Sequence, residues 1–187
     1  MLFVLSAPSG SGKSTIARRI LRQFDGLSFS VSATTRARRP KETDGKDYVF
    51  LSREDFEQRI ADGDLIEWEE IYGNLYGTLK SDVDRVLAAQ GNLLFDIDVK
   101  GALALKTLYG EQAVLIFIRP PNLDVLRARL AARGTDDADV IERRMQRAEW
   151  ELAQAVEFDF DVLNDDLNRS VPEVAEIVRT HLRRNHE

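Results

Sequence analysis

There is no cysteine anywhere in the 187 residues, which excludes disulfide staples, thiolate metal sites and a thiol nucleophile. Histidine is nearly absent too. His181 and His186 both fall within the last seven residues, so a His-dependent triad or a His-ligated metal centre is not expected, and much of hydrolase chemistry goes with them. No apolar run approaches the ~20 residues of a membrane span. The opening stretch Met1–Ser6 lacks both the basic n-region and the apolar length of a signal peptide. The expectation is a soluble, cytoplasmic protein with no membrane partner. A surplus of positive charge is missing as well: 26 Lys and Arg against 32 Asp and Glu leave a net charge of −6, which argues against nucleic-acid binding. Oligomeric state leaves no mark in the composition.

What is present is an ordinary globular composition, 43% apolar and 31% charged. A chain of this size buries roughly 70% of its unfolded surface. Apolar strand-like runs at Leu2–Leu5, Leu27–Ser32, Asn92–Asp96, Val114–Ile118 and Phe160–Leu163 alternate with helical patterns. Those helical patterns cover Ser14–Phe24, a segment that Ser81 can cap and that runs to Gln90, Lys100–Tyr109, Leu123–Ala132, Val140–Glu157 and a segment opened by the capping box Ser170-Val-Pro-Glu173. Such alternation predicts an α/β fold with a parallel sheet flanked by helices. Residues 33–80 break the pattern. They start as a polar stretch without useful periodicity and continue as short strands at Tyr48–Leu51, Asp64–Tyr72 and Leu75–Tyr76, with one helix capped by Ser52. We therefore expect a core of residues 1–32, 81–129 and 149–187, a β-rich insertion at 33–80 and a helical lid at 130–148.

The segment Ala7-Pro8-Ser9-Gly10-Ser11-Gly12-Lys13-Ser14, followed by Thr15, has Ala or Gly, four residues, then Gly-Lys-Ser. It lies between a strand and a helix, as a triphosphate-binding P-loop requires. Its backbone N–H groups and the helix N-terminus attract the anion, Lys13 spans the outer phosphates, and the Ser14 hydroxyl is a ligand for Mg²⁺. A carboxylate near the magnesium shell is expected at the end of a neighbouring strand. Asp96 and Asp98 follow the apolar Leu93-Leu94-Phe95, and period-two spacing predicts that they share a side, with Asp96 as an outer-shell Mg²⁺ contact.

The loop identifies a donor and leaves the acceptor open. Five further motifs narrow it: Ser30-Val-Ser-Ala-Thr-Thr-Arg36-Ala-Arg-Arg39, then Gly45-Lys-Asp-Tyr48, then Ile66-Glu67-Trp68, then Gly73-Asn-Leu-Tyr76-Gly-Thr78, and Asp96-Ile-Asp98. In this order and spacing the chain resembles guanylate kinases, and the likeness continues through Arg133-Gly134-Thr135 and Asn164-Asp165-Asp166. The resemblance implies an ATP:GMP phosphotransferase, a P-loop fold with an inserted GMP-binding segment and a lid, and ATP and GMP (with dGMP as a further candidate) as small-molecule partners. It implies that Arg36, Arg39, Tyr48 and Tyr76 hold the GMP phosphate, that Ser32, Glu67, Thr78 and Asp98 hold guanine, that Arg133 and Arg144 are lid arginines, and that Asn164 lies at the adenine of ATP. Lys13, Arg36, Arg39, Arg133 and Arg144 would form the catalytic cation set. Arg38 stands where the family commonly has proline, so Arg38 and Arg39 both remain candidates for the inner clamp. Arg143 and Arg147 are alternatives to Arg144 on the same helix.

The residue chemistry agrees with that transfer. Arginine pairs bidentately with phosphate. One carboxylate accepts together the adjacent N1–H and 2-amino donors of guanine, whereas adenine presents it with an acceptor. With neither Cys nor a placed His, direct in-line transfer without a covalent intermediate is expected, driven by positioning and charge stabilisation. Segments 33–80 and 130–148 are expected to close over bound ligands and exclude water. Two other readings stay open: a P-loop kinase for another phosphorylated acceptor, and a non-catalytic guanylate-kinase-like interaction module.

Overall fold

In the computed structural model, residues 1–71, 73–132 and 138–184 are described, the side chains of residues 138 and 184 excepted. The first strand, β1 (Leu2–Ser6), is completely buried. Its alternating side chains go to two different cores, as period-two geometry requires of a strand covered on both faces. Phe3 and Leu5 pack with Ile16, Ala17 and Ile20 of α1 (Lys13–Leu21) and with Val174, Ala175 and Val178 of α7 (Leu167–Arg184). Leu2 and Val4 pack on the other face with Val83 of α3 (Lys80–Ala88) and Ala102 and Leu105 of α4 (Val99–Tyr109). The same alternation runs through β8 (Ala113–Arg119), where Val114, Ile116 and Ile118 face one core and Ala113 and Leu115 the other.

These strands form an all-parallel five-stranded sheet in the order β2-β7-β1-β8-β9, with β2 at Leu27–Phe29, β7 at Asn92–Asp96 and β9 at Phe160–Leu163. The chain runs from β1 outward to β2, returns to β7, then crosses to β8 on the far side of β1. In sheets of this kind ligands bind at the carboxyl ends of the strands beside that switch.

Between β2 and α3 lies a second sheet of order β4-β3-β6-β5. Its strands are β3 (Ala33–Thr34), β4 (Val49–Phe50), β5 (Leu65–Ile71) and β6 (Asn74–Leu79), with helix α2 (Arg53–Asp62) on one face. Ser52 caps α2, its side chain accepting from the Asp55 N–H. Ala33, Phe56, Leu75 and Leu79 make a small core of their own. Gly77 is there for space: a Cβ would lie 2.6 Å from the Glu67 carbonyl and 3.2 Å from the Phe56 ring. Helices α5 (Leu123–Ala131) and α6 (Ala138–Ala153) pack together through Leu126, Leu130, Met145 and Ala148.

Several boundaries differ from the sequence reading, each for a local reason. The expected strand over residues 27–32 ends at Phe29, and Ala33–Thr34, inside the stretch read as irregular, pairs into the second sheet. Ser81 does not cap α3: Leu79 occupies the cap position without a side-chain bond, because β6 runs straight into the helix. Helix α7 starts at Leu167 rather than near Ser170, since Asp166 already caps it by accepting from the Asn168 N–H at 2.8 Å. Pro172 therefore lies inside the helix. The strand before Asp98 stops at Asp96, so Asp98 is no longer a strand residue. It caps α4 instead, accepting from the Gly101 N–H at 2.9 Å.

Candidate active site

Strand β1 ends buried at Ser6, and the chain turns through Ala7–Gly12 before α1 begins. Gly10 and Gly12 adopt φ of 94° and 91°, a left-handed conformation that favours glycine. Gly12 has a second reason to be glycine: a Cβ there would sit 2.5 Å from Asn164 Nδ2. Asn164 is 3% exposed at the end of β9 and donates from Nδ2 to the Ser11 carbonyl at 2.6 Å. The Ser170 hydroxyl, fully buried in α7, donates to Asn164 Oδ1 at 2.8 Å. At the loop's exit Lys13 Nζ pairs with Asp96 at 3.0 Å and donates to the Ile97 carbonyl, while the Ser14 hydroxyl donates to Asp96 Oδ2 at 2.6 Å. Lys13 and Ser14, at the start of α1, thus meet Asp96, at the end of β7. A hydroxyl beside a carboxylate is the hard-oxygen chemistry that suits Mg²⁺. Among the described residues no group of three or more His, Cys, Asp or Glu side chains forms a metal cage.

A cavity of about 810 Å³ opens over this loop, lined by Ala7–Gly10, Gly12–Thr15, Glu69–Ile71, Asp98, Arg144, Arg147 and Glu151. One wall is therefore the P-loop and the opposite wall the second sheet. On that sheet, strand alternation and one irregularity decide what faces inward. The register of β5 shifts between Leu65 and Glu67, so Leu65 opposes Leu79 while Glu67 opposes Thr78. From there Glu67 and Glu69 lie across from Thr78 and Tyr76, and Tyr76 in turn lies across from Thr34. This face carries hydroxyls and carboxylates, whereas Leu75 and Leu79 on the other face pack against α2. The Thr78 hydroxyl donates to Glu67 Oε1 at 2.6 Å. Burial pushes the Glu67 carboxyl above its ordinary range, the Thr78 bond opposes that, and the Asp98 charge adds to it. A smaller cavity of about 370 Å³ is lined by Glu67, Asp98, Lys100 and Gly101 with Arg147 and Trp150.

The arginine loop precedes β4. Arg36 Nη2 pairs with Glu42 Oε1 at 2.7 Å, and the Arg39 backbone N–H donates to Glu42 Oε2 at 2.8 Å. Together the Arg36 guanidinium and that N–H hold the Glu42 carboxyl below its usual range. Arg36 also stands 5.3 Å from the centre of the Tyr48 ring, and Tyr48 packs 6.1 Å from Tyr76. Arg36, Tyr48 and Tyr76 are thus assembled in one cluster. Arg38 donates to the Glu42 carbonyl at 3.3 Å, and the side chains of Arg38 and Arg39 are both exposed. Ser32, one residue before β3, is partly buried and accepts through its carbonyl from the Val49 N–H.

The third wall is α6. Arg144 reaches Ser9 Oγ at 3.3 Å, so a helix far along the chain touches the P-loop. Arg147 meets Glu69 at 3.2 Å, Asp98 at 2.9 Å and Glu151 at 3.0 Å. Burial raises the Glu151 carboxyl, and the Arg147 guanidinium opposes the rise. Arg133, with Gly134 and Thr135, lies outside the described residues. Sequence reasoning missed Glu42, Glu69, Glu151 and Ser170. Glu69 was legible as the same-face neighbour of Glu67 two residues on, and Glu151 as the i+4 partner of Arg147. Ser170 carried no signal beyond a helix start.

A parallel sheet whose first strand passes through a glycine loop into a helix, with Lys and Ser at the loop's exit, defines a P-loop nucleotide-binding protein. The sequence model of the guanylate kinase family matches residues 1–181. A guanylate kinase of Chlorobaculum tepidum is 53% identical over 174 residues, 93% of this chain and 89% of that one. One of Salinibacter ruber is 51% identical over 183 residues, 97% and 96% of the two chains. The crystal structure of guanylate kinase from Anaplasma phagocytophilum superposes with a TM-score of 0.72 at 31% identity, covering 97% of this chain and 85% of that one. The chain belongs to the guanylate kinase family.

Proposed function

We propose that this protein transfers the γ-phosphoryl group of ATP to GMP, giving ADP and GDP, and that the residues described above divide the work between donor and acceptor. The observation that carries the reading is a pair of cavities that share Glu69, Asp98 and Arg147 in their linings, one holding the P-loop and the other Glu67. Family membership supports the same reaction.

The donor reading gives the triphosphate to the backbone of residues 7–15, with Lys13 on the outer phosphates. Mg²⁺, when bound, draws charge off the phosphate oxygens and lowers their mutual repulsion; Ser14 and Asp96 are the residues that would hold it. Adenine is assigned to the groove bordered by Thr15, Arg129 and Asn164–Asn168. The acceptor reading gives the GMP phosphate to Arg36, Arg39, Tyr48 and Tyr76, and guanine to Ser32, Glu67, Thr78 and Asp98. Thr78 already holds one Glu67 oxygen, which orients the carboxylate and leaves lone pairs for the N1–H and 2-amino groups of guanine. A GMP phosphate oxygen attacks the γ-phosphorus in line while ADP leaves, so one P–O bond forms as another breaks. Lys13, Arg36, Arg39 and Arg144, joined by Arg133, counter the charge that spreads over the transferring group. Residues 33–80 and 130–148 are assigned to closing over the substrates, which keeps water from the γ-phosphate.

The test is a monophosphate panel run on wild type and Glu67→Ala with ATP as donor. Wild type is expected to favour GMP over AMP by about 10⁴, the discrimination typical of sites built on obligatory hydrogen bonds. Glu67→Ala should lose most of that ratio. A wild type that prefers AMP or UMP sinks the assignment.

A further inference from the structure

Asn164 is assigned above to the adenine groove, yet almost none of its side chain reaches the surface. It is 3% exposed, and both ends of its amide are engaged inside the protein: Nδ2 on the Ser11 carbonyl at 2.6 Å and Oδ1 on the Ser170 hydroxyl at 2.8 Å. The amide is oriented by chemistry, because a carbonyl oxygen such as that of Ser11 only accepts and Nδ2 is the donor. Ser170, itself fully buried, also lies 3.2 Å from the Asp166 carbonyl. Its one proton goes to the nearer acceptor, Asn164. The Asn164 backbone is fixed as well, its N–H donating to the Arg119 carbonyl at 2.8 Å at the edge of the sheet.

The bond grips one particular peptide unit. Ser11 C=O and Gly12 N–H belong to the same planar trans peptide, where they point in opposite directions. Asn164 pulls the carbonyl inward, and the Gly12 N–H is therefore turned away from Asn164. Gly12 lines the 810 Å³ cavity over the loop. Glycine at residue 12 permits both the left-handed backbone and the close approach of Nδ2. A buried network of this kind, with both ends of the amide engaged, holds a geometry rather than a ligand.

We propose that Asn164, oriented by Ser170, is a positioning residue for the donor phosphates: it fixes the Ser11–Gly12 peptide so that its N–H faces the phosphate chain, and it acts through the loop rather than on the adenine ring. The inference rests on the reading of residues 7–15 as the donor site.

Asn164→Asp is the sharpest probe. It keeps the shape of the side chain but sets an oxygen against the Ser11 carbonyl, so the donor is replaced by repulsion. Calorimetric affinities are measured for ADP, for inorganic tripolyphosphate and for GMP, beside thermal unfolding midpoints. ADP and tripolyphosphate are expected to weaken together, by about tenfold or more, as loss of a buried hydrogen bond would give, while GMP affinity stays unchanged. Ser170→Ala should shift the same two ligands in the same direction by less, and it carries the test if Asn164→Asp does not fold. Loss of ADP affinity alone would place Asn164 on the base and overturn the proposal. Unchanged affinities, or a matched loss of GMP and ADP tracking a lowered melting temperature, overturn it too. Lys13→Ala separates this inference from the reading beneath it. If Lys13→Ala loses tripolyphosphate and Asn164→Asp keeps it, only the positioning role fails. If Lys13→Ala binds tripolyphosphate like wild type, the donor site and the inference fall together.

Discussion

The donor and acceptor sides of the candidate site are made in different ways. The donor wall is one contiguous loop, seated on a fully buried strand and braced from beneath by a buried amide. The acceptor wall draws on four strands, an exposed arginine loop and a neighbouring helix, and its charges are satisfied largely by one another: Arg36 by Glu42, and Glu69 and Asp98 by Arg147. A loop held by the core presents the same donors whether or not a ligand is there. The Arg147 pairs in that array are partly exposed and have partners to exchange, because such pairs contribute little stability singly and are screened by water. The donor half is preorganised; the acceptor half is pre-paired.

Three measurements can break or sharpen that contrast. The largest effect is expected from Lys13→Ala: kcat should fall by about 10²–10³, as when one donor to transition-state charge is removed, with KM for GMP unchanged. A comparable rise in KM for GMP would mean that the two walls are not separately built. Next is Glu42→Gln, read by steady-state kinetics with either substrate varied. Losing the carboxylate that holds Arg36 and the Arg39 N–H should raise KM for GMP by about tenfold, the scale of a charge-assisted hydrogen bond, and leave KM for ATP alone. A lower KM for GMP would show instead that Glu42 competes with the substrate phosphate.

The smallest effect concerns stability. Burial raises the Glu67 carboxyl, so the folded chain holds that proton more tightly than the unfolded chain does. The associated stabilisation is complete below the ordinary carboxylate range and is lost as pH rises through the raised value. Ligand-free Glu67→Gln, which carries no charge to bury, should therefore melt about 2–4 °C higher than wild type near pH 8, roughly a 1 kcal/mol gain for a chain of this size. That advantage should fade on acidification through the carboxylate range. A flat difference across pH would mean that the Glu67 carboxylate is solvated in the empty site.

The contrast also explains what was legible in the sequence. The P-loop could be read because it is contiguous, and β1, β7 and β8 because their apolar runs are set by burial on both faces. Ser52 could be read as a cap because a cap is a local hydrogen bond. Glu67, Thr78, Tyr48 and Tyr76 came from family resemblance, since in isolation each is an ordinary strand or loop residue. The two-residue strand Ala33–Thr34 was invisible: its strand character comes from pairing with β6 and β4, far along the chain. The register shift near Ile66, the grip of Glu42 on Arg36 and the Asn164–Ser170 pair are likewise products of tertiary packing. Local spacing misled in two places, at Ser81 and at Ser170. There a hydroxyl and nearby acids suggested caps, while β6 ran into one helix and Asp166 opened the other.

The strand order β2-β7-β1-β8-β9 has a consequence for how the chain comes into being. β1 occupies the centre of the sheet, yet the residues that flank Leu2 are Leu93 and Ala113, so the first strand synthesised waits for half the chain before either neighbour exists. The second sheet is the reverse case. Its strands and helix α2 lie within residues 33–79, its hairpin pairs Ile71 with Asn74, and its small core can close as soon as Leu79 has emerged. Short-range contacts form early and long-range strand pairs late. During synthesis, then, the wall that would read the acceptor base takes shape early, and the phosphate loop, although made before it, acquires its supporting amide only once Asn164 has emerged.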